Sequence, residues 1–392
     1  MADERISRRT FLKNSGFATL LFGLGTTRGH SVLGGGKQTD TEKETAGGTT
    51  GATVPVREAM YYKRLSHNRV ECGLCFRRCI LHDGERGECR NRENRGGTLV
   101  SLVWGRPSAI QIDPVEKEPQ YHLLPGTLIL CFGTAGCNFH CMFCQNWHLS
   151  QRSIEEMEHF YPLTPEEAVA EAVRRKIPTV SFTYNEPTSF YEYVYDISQI
   201  AKREGLFILW HSNGAMNPEP LLDLMRFTDA VTIDLKGFTE SFYRKYSQAE
   251  LEPVLRNLKL IKERGVWLEI VNLVIPNAND DPSDVRDMCE WIGRHLGPDV
   301  PVHFSRFFPA YRLTKLHPTP VQTLEQCYKI AKESGLHYVS LGNVPGHRYN
   351  STFCPECGAL LIKRMHFEVL ENRIEQGRCP DCGHRIPGIW NA

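Results

Sequence analysis

Three tight groups hold four, three and four of the fourteen cysteines in this chain. Thiolates at such spacing bind metal ions or iron–sulfur clusters. The central group is Cys137, Cys141 and Cys144, a C-x3-C-x2-C pattern. Three thiolates leave a tetrahedral zinc site one ligand short. They suit three irons of a [4Fe–4S] cluster, whose fourth iron then stays open to a substrate or cofactor. A zinc site completed by His140 or His148 is the alternative. The C-terminal group, Cys354, Cys357, Cys379 and Cys382, reads C-x2-C-x21-C-x2-C with Gly358 and Gly383 after each pair. Two such knuckles suit a closed zinc site, although a rubredoxin-like mononuclear iron would use the same four thiolates. The N-terminal group, Cys72, Cys75, Cys79 and Cys89, binds zinc or a second cluster. Arg77, Arg78, Arg86, Arg90, Arg92 and Arg95 surround it, interleaved with Glu85, Glu88 and Glu93. No aromatic stripe accompanies them, so they read as a solvated face rather than a nucleic-acid site. Cys131, Cys289 and Cys327 stand alone and read as small buried apolar residues.

Elements that position the central group follow from the apolar pattern. Short β-branched runs at 128–134, 179–183, 206–211, 230–235, 266–274, 302–307 and 338–341 suit strands buried on both faces of a parallel sheet. Helix starts lie between them. Thr164-Pro165-Glu166-Glu167, Asn217-Pro218 and Asp281-Pro282 are cap-then-proline signals. Gly265 and Gly335 mark helix ends. No GxGxxG follows the first strand, so a dinucleotide site is unsupported. The expected fold is α/β: a partial (β/α)6-type TIM-like barrel with chemistry at the carboxyl ends of its strands. Polar residues do gather there: Cys137 to Cys144, Tyr184 to Thr188, His211 to Gly214, Asp234 and Lys236, Asn272 with Asn277, and His303 with Arg306.

The whole chain has 392 residues, with Lys+Arg and Asp+Glu both 46. A net charge of zero argues against a broad nucleic-acid footprint. No apolar run reaches the ~18 residues of a membrane span. A chain this large with grouped thiols reads as metal-binding rather than as a disulfide scaffold. Ser7-Arg8-Arg9-Thr10-Phe11-Leu12-Lys13, followed by apolar residues 16–25, reads as a twin-arginine-type signal segment over 1–33. Residues 34–53 read as a flexible linker. The expected divisions are an N-terminal Cys-rich module and lead-in at 54–124, the barrel at 125–348, and a C-terminal zinc-ribbon-like module at 349–392.

With aromatic Phe143 before its last cysteine, the central loop resembles the signature of the radical S-adenosylmethionine (SAM) enzymes. Asp113 to Pro119, Tyr121-His122 and Leu124-Pro125-Gly126 resemble the lead-in of the pyruvate formate-lyase activating enzyme-like branch. Ser181 to Thr188 and Leu341 to Gly346 resemble the AmmeMemoRadiSam subgroup. That resemblance implies a [4Fe–4S] cluster, SAM, reductive cleavage to a 5′-deoxyadenosyl radical, and hydrogen abstraction from a substrate, with a catalytically inactive Fe–S/zinc scaffold that docks partner proteins as the alternative. It further implies an external electron donor and AMMECR-type and Memo-type partners.

Residue roles are implied in the same way. Asn185 and Glu186 match a motif contacting the methionine amino group, usually Gly-Gly-Glu-Pro in the family. Ser212 and Asn213 match a position near the cofactor. Asp234 and Lys236 match a pair near its carboxylate and ribose, with an internal ion pair as the alternative. His303 matches a histidine near the adenosine, with a hydrogen-bonded core histidine as the alternative. The signal segment points to export, whereas the supply of SAM and reductant points to the cytoplasm.

Overall fold

The computed structural model describes residues 56–391. The expected signal segment and linker lie outside the described residues. Six short strands open the described chain: β1 (Arg57–Glu58), β2 (Tyr62–Arg64), β3 (Val70–Cys72), β4 (Ile80–Leu81), β5 (Arg92–Arg95) and β6 (Thr98–Ser101). They form two small antiparallel sheets, β2-β3-β4 and β1-β6-β5.

The main sheet has eight strands. They are β7 (Ala109–Pro114), β8 (Leu128–Gly133), β9 (Thr179–Phe182), β10 (Phe207–Ser212), β11 (Ala230–Asp234), β12 (Trp267–Val274), β13 (Val302–Arg306) and β14 (Val339–Gly342). Strands β8 to β14 are parallel neighbours in chain order. Their residues are nearly all buried, as both-face coverage requires. Helices α1 (Pro165–Arg175), α2 (Tyr191–Arg203), α3 (Pro218–Met225), α4 (Glu252–Glu263), α5 (Pro282–Leu296) and α6 (Val321–Glu333) make the crossovers. The strand and helix signals of the sequence fall on these elements. At α1, Thr164 Oγ1 accepts from Glu167 N and Glu167 accepts from Thr164 N in return.

Six βα units and a seventh parallel strand make an arc whose edge strands, β7 and β14, do not pair, so the barrel is partial. Strand β7 was not among the expected strands. It pairs antiparallel with β8 from Ala109↔Gly133 to Pro114↔Leu128. It ends in Pro114, and an edge position tolerates the missing proline N–H. The main sheet therefore takes a strand from the 54–124 stretch.

The C-terminal stretch forms a three-stranded sheet of β15 (Thr352–Phe353), β16 (Leu360–Met365) and β17 (Glu368–Asn372). It is bolted to the lead-in. The buried Arg364 donates to Tyr121 O at 2.7 Å, stacks 4.2 Å over the Tyr121 ring, and lies 3.7 Å from Glu116. Leu124 N donates to Ile389 O, and Ile389 N to His122 O. Among the described residues, no helix is long and apolar enough to cross a membrane.

Candidate cluster and cofactor site at the carboxyl ends of the strands

A cavity of about 440 Å3 opens at the carboxyl ends of the parallel strands. Cys137, Cys141 and Cys144 line it, from the loop that leaves β8. That loop is held from the far side by His140 N donating to Ser247 O and Met142 N to Tyr246 O. Phe139 N donates to Cys137 Sγ at 3.3 Å, and Ser150 Oγ lies 3.2 Å from Cys144 Sγ. Burial pushes all three thiols up, while Lys236 pulls Cys141 and Cys144 back. Binding metal there must therefore release protons. Among the described residues, only the C-terminal cysteines bring three or more ligand atoms within 4.8 Å of one another. The spread of Cys137, Cys141 and Cys144 thus disfavours one tetrahedral ion and fits the wider reach of a cluster.

The remaining wall comes from successive strands. Asn185 ties two loops together. Its Oδ1 accepts from Thr134 N at 3.0 Å, and its Nδ2 donates to Gly136 O at 2.8 Å. Just before it, Tyr184 holds φ at +70°, a backbone state that glycine adopts most readily. Glu186 is buried, and its carboxylate is filled. Oε1 accepts from Thr188 N, Thr188 Oγ1 and Ser212 Oγ, and Oε2 from Asn213 N, at 2.6–3.0 Å. Four donors match the roughly four lone-pair sites of a carboxylate. Burial raises the Glu186 pKa, although these donors oppose it. Ser212 and Asn213 meet the loop here. Asn213 Nδ2 donates to Asn138 Oδ1 at 2.7 Å, beside Cys137. Asp234 accepts from Lys236 Nζ at 2.7 Å and pairs with His211 Nε2 at 3.0 Å. Burial disfavours the Asp234 charge, but Lys236 and His211 hold its carboxyl well below the usual range. All six of these sequence-expected residues line the cavity.

His303 lies outside that lining. It is 2% exposed, with Nε2 2.7 Å from Glu269 and Nδ1 2.6 Å from Ser340. Ser305, two residues further along β13, reaches the cavity wall instead. Residues i and i+2 share a strand face, so His303 sits about 6.6 Å below that level. Its partner Glu269 also accepts from the backbone N–H groups of Tyr121 and His122 and from Trp267 Nε1. Burial opposes the Glu269 charge, but His303, His122 and Trp267 hold it down to about 2. This network plugs the barrel beneath the cavity.

His211, marked in sequence as a polar strand end but given no role, has Asp234 on one side and Glu118 3.5 Å away on the other. Phe367, from the turn between β16 and β17, reaches the rim. The signal for His211 was a polar residue at the end of a buried strand. Phe367 carried no signal, because only tertiary docking brings the ribbon there.

The C-terminal four are set for a single ion. Cys354 Sγ lies 3.6 Å from Cys382 Sγ, and Cys357 Sγ 3.7 Å from Cys379 Sγ. A tetrahedron with Zn–S bonds of ~2.3 Å has edges of about 3.8 Å. The knuckles match: Gly358 N donates to Cys354 O and Gly383 N to Cys379 O, with φ of +74° and +75° at the two glycines. The N-terminal four converge on a separate small cavity that Arg92, Asn138, Thr188 and Ser189 also line.

Fold and site define an α/β protein with a three-cysteine loop at the mouth of a partial barrel. Residues 132–292 match the family model described as the radical SAM superfamily. An uncharacterised protein of Methanocaldococcus jannaschii is 45% identical over 333 residues, 84% of this chain and 99% of its own length. The (2S)-3-sulfopropanediol dehydratase activating enzyme of Klebsiella oxytoca is 28% identical over 123 residues, 31% of this chain and 38% of that enzyme. A domain of pyruvate-formate lyase-activating enzyme from Bacteroides vulgatus is similar at a TM-score of 0.38 and 19% identity, covering 42% of this chain and 98% of that domain. The chain belongs to the radical SAM superfamily.

Proposed function

We propose that this chain binds a [4Fe–4S] cluster through Cys137, Cys141 and Cys144 and SAM in the adjoining cavity, and uses them to take a hydrogen atom from a substrate. The observation that carries this reading is the trio of thiols, two buried and one half-buried, too widely spread for one tetrahedral ion, on the wall of a 440 Å3 cavity. Held by Cys137, Cys141 and Cys144, such a cluster would supply the single electron that reductive cleavage of SAM to methionine and a 5′-deoxyadenosyl radical requires.

The chain's own residues bind and orient. Lys236 offers a cation for a carboxylate, and Asp234 offers acceptors for hydroxyl or ammonium groups. Asn185 and Glu186 lock the loops that Ser212, Asn213 and the cysteines share, so they act as positioning residues. Phe139 and Phe143 supply apolar wall that keeps water from a reactive radical.

The substrate reading is activation of a partner protein, in the manner of glycyl-radical activases. The Klebsiella oxytoca relative supports it by its description. AmmeMemoRadiSam membership, with AMMECR-type and Memo-type partners, is part of the same reading. So are an external electron donor, zinc at the C-terminal four, and work in the cytoplasm where SAM and reductant are supplied. The test is electron paramagnetic resonance of the anaerobically reconstituted, dithionite-reduced protein. SAM is expected to change the cluster signal in the wild type. A signal indifferent to saturating SAM contradicts the proposal.

A further inference from the structure

The N-terminal four cysteines abut the barrel cluster loop. Gly136 and Asn138 flank Cys137, and both touch the N-terminal group. Gly136 holds φ at +80°, and a Cβ there would overlap the Cys89 carbonyl oxygen. Asn138 lines the cavity between the four cysteines, and its amide sits beside the Cys75 thiol. That amide Nδ2 is buried and faces the Cys75 sulfur, with no oxygen acceptor of its own. Asn138 Oδ1 meanwhile accepts from Asn213 Nδ2, 3.9 Å from Cys137 Sγ. One side chain therefore spans both groups.

The spacing of the four separates the possible occupants. A single tetrahedral ion needs all six sulfur pairs near 3.8 Å, as at the C-terminal site. No three of Cys72, Cys75, Cys79 and Cys89 meet even a 4.8 Å limit. They nevertheless surround one cavity, with Cys79 and Cys89 Sγ on either side of Gly87. A cubane carries its four thiolates further apart than one ion does. Arg92, fully buried and paired with Glu192, donates to Cys72 Sγ at 3.3 Å. Such hydrogen bonds to sulfur tune cluster potentials. Cys72 and Cys75 are buried, while Cys79 and Cys89 are half-buried.

We infer that Cys72, Cys75, Cys79 and Cys89 hold a second [4Fe–4S] cluster that relays single electrons from a docked low-potential donor to the barrel cluster. The donor loses one electron; the N-terminal cluster takes it up and is reoxidised as the barrel cluster is reduced. No bond forms or breaks in the relay. The relay half rests on the proposed function, whereas the cluster half does not.

The test uses the full chain reconstituted anaerobically with iron and sulfide. Wild type is expected to bind about eight irons and eight sulfides, two cubanes' worth. Cys137→Ala/Cys141→Ala/Cys144→Ala protein should keep about four irons, with a reduced signal indifferent to SAM. Cys79→Ala/Cys89→Ala protein should keep the SAM-responsive signal. Its barrel cluster should be reduced at least tenfold more slowly by a reduced low-potential flavoprotein, yet equally fast by dithionite, which diffuses into the open cavity. Zinc instead of iron at the N-terminal group of the wild type or the triple variant overturns the cluster. An unchanged rate with the flavoprotein donor overturns the relay. Loss of the SAM response in wild type, with eight irons present, strikes the proposed function and leaves the second cluster standing.

Discussion

Changing Glu186 to Gln probes the barrel mouth with a single atom. The carboxylate accepts two backbone N–H groups, Thr188 and Asn213, on different oxygens, and two hydroxyls on Oε1. Hydroxyls can turn and accept from an amide. Backbone N–H groups cannot. Whichever way the glutamine amide points, its NH2 faces Thr188 N–H or Asn213 N–H, and one buried donor is orphaned. That costs about 1–3 kcal/mol, and the surviving bonds lose their charge assistance. A total near 2–4 kcal/mol is expected, with a melting temperature lower by roughly 4–8 °C. Asn213 is displaced with it, and Asn213 braces Asn138 beside Cys137. If about half of that cost is felt at the cofactor, SAM affinity falls roughly tenfold. Anaerobic equilibrium dialysis with SAM and thermal unfolding by circular dichroism read the two effects. Weakened binding with an unchanged melting temperature would refute the reasoning, since Glu186 would then serve the cofactor directly.

Other perturbations test separate parts of the structure. Cys379→Ala should lose one equivalent of metal from the C-terminal site and lower the melting temperature of the full chain, because ribbon folding is coupled to metal; retained zinc by elemental analysis would contradict that site. Arg364→Met should destabilise by about 3–5 kcal/mol in denaturant unfolding, because it leaves Glu116 buried and unpaired, and adding Glu116→Gln should recover most of the loss. For His211, burial opposes the charge, but Asp234 and Glu118 raise its pKa to about 10. A folded pKa above the ordinary value of about 6.5 means the stabilisation is complete below pH 6.5 and lost as pH rises toward 10. His211→Gln should flatten the melting-temperature slope between pH 7 and 10; an unchanged slope would assign it to other groups.

The parallel strands were legible because burial on both faces writes a run of apolar and β-branched residues, as in Val231-Thr232-Ile233. The caps at Thr164 and Asp281 were legible because capping is local chemistry. Cysteine spacing carried the cluster loop and the ribbon in the same local way. Strand β7 was not legible, since its pairing with β8 is tertiary and its last residue is proline. His303 shows the limit of residue type. The sequence marks a polar residue on a buried strand, but not which level of the barrel it occupies. Glu269 and Ser340 hold it below the cavity, while Ser305 reaches it. The saturation of Glu186 was equally hidden, because its donors come from two strand ends.

The most direct test is chromatographic detection of 5′-deoxyadenosine and methionine after anaerobic reduction of the reconstituted protein with dithionite in the presence of SAM. The wild type is expected to form both in equal amounts, slowly and without added substrate. Cys137→Ala, Cys141→Ala and Cys144→Ala proteins are each expected to form neither. Product from the triple variant, or none from wild type with an intact and reducible barrel cluster, would contradict the assignment of these three cysteines to SAM cleavage.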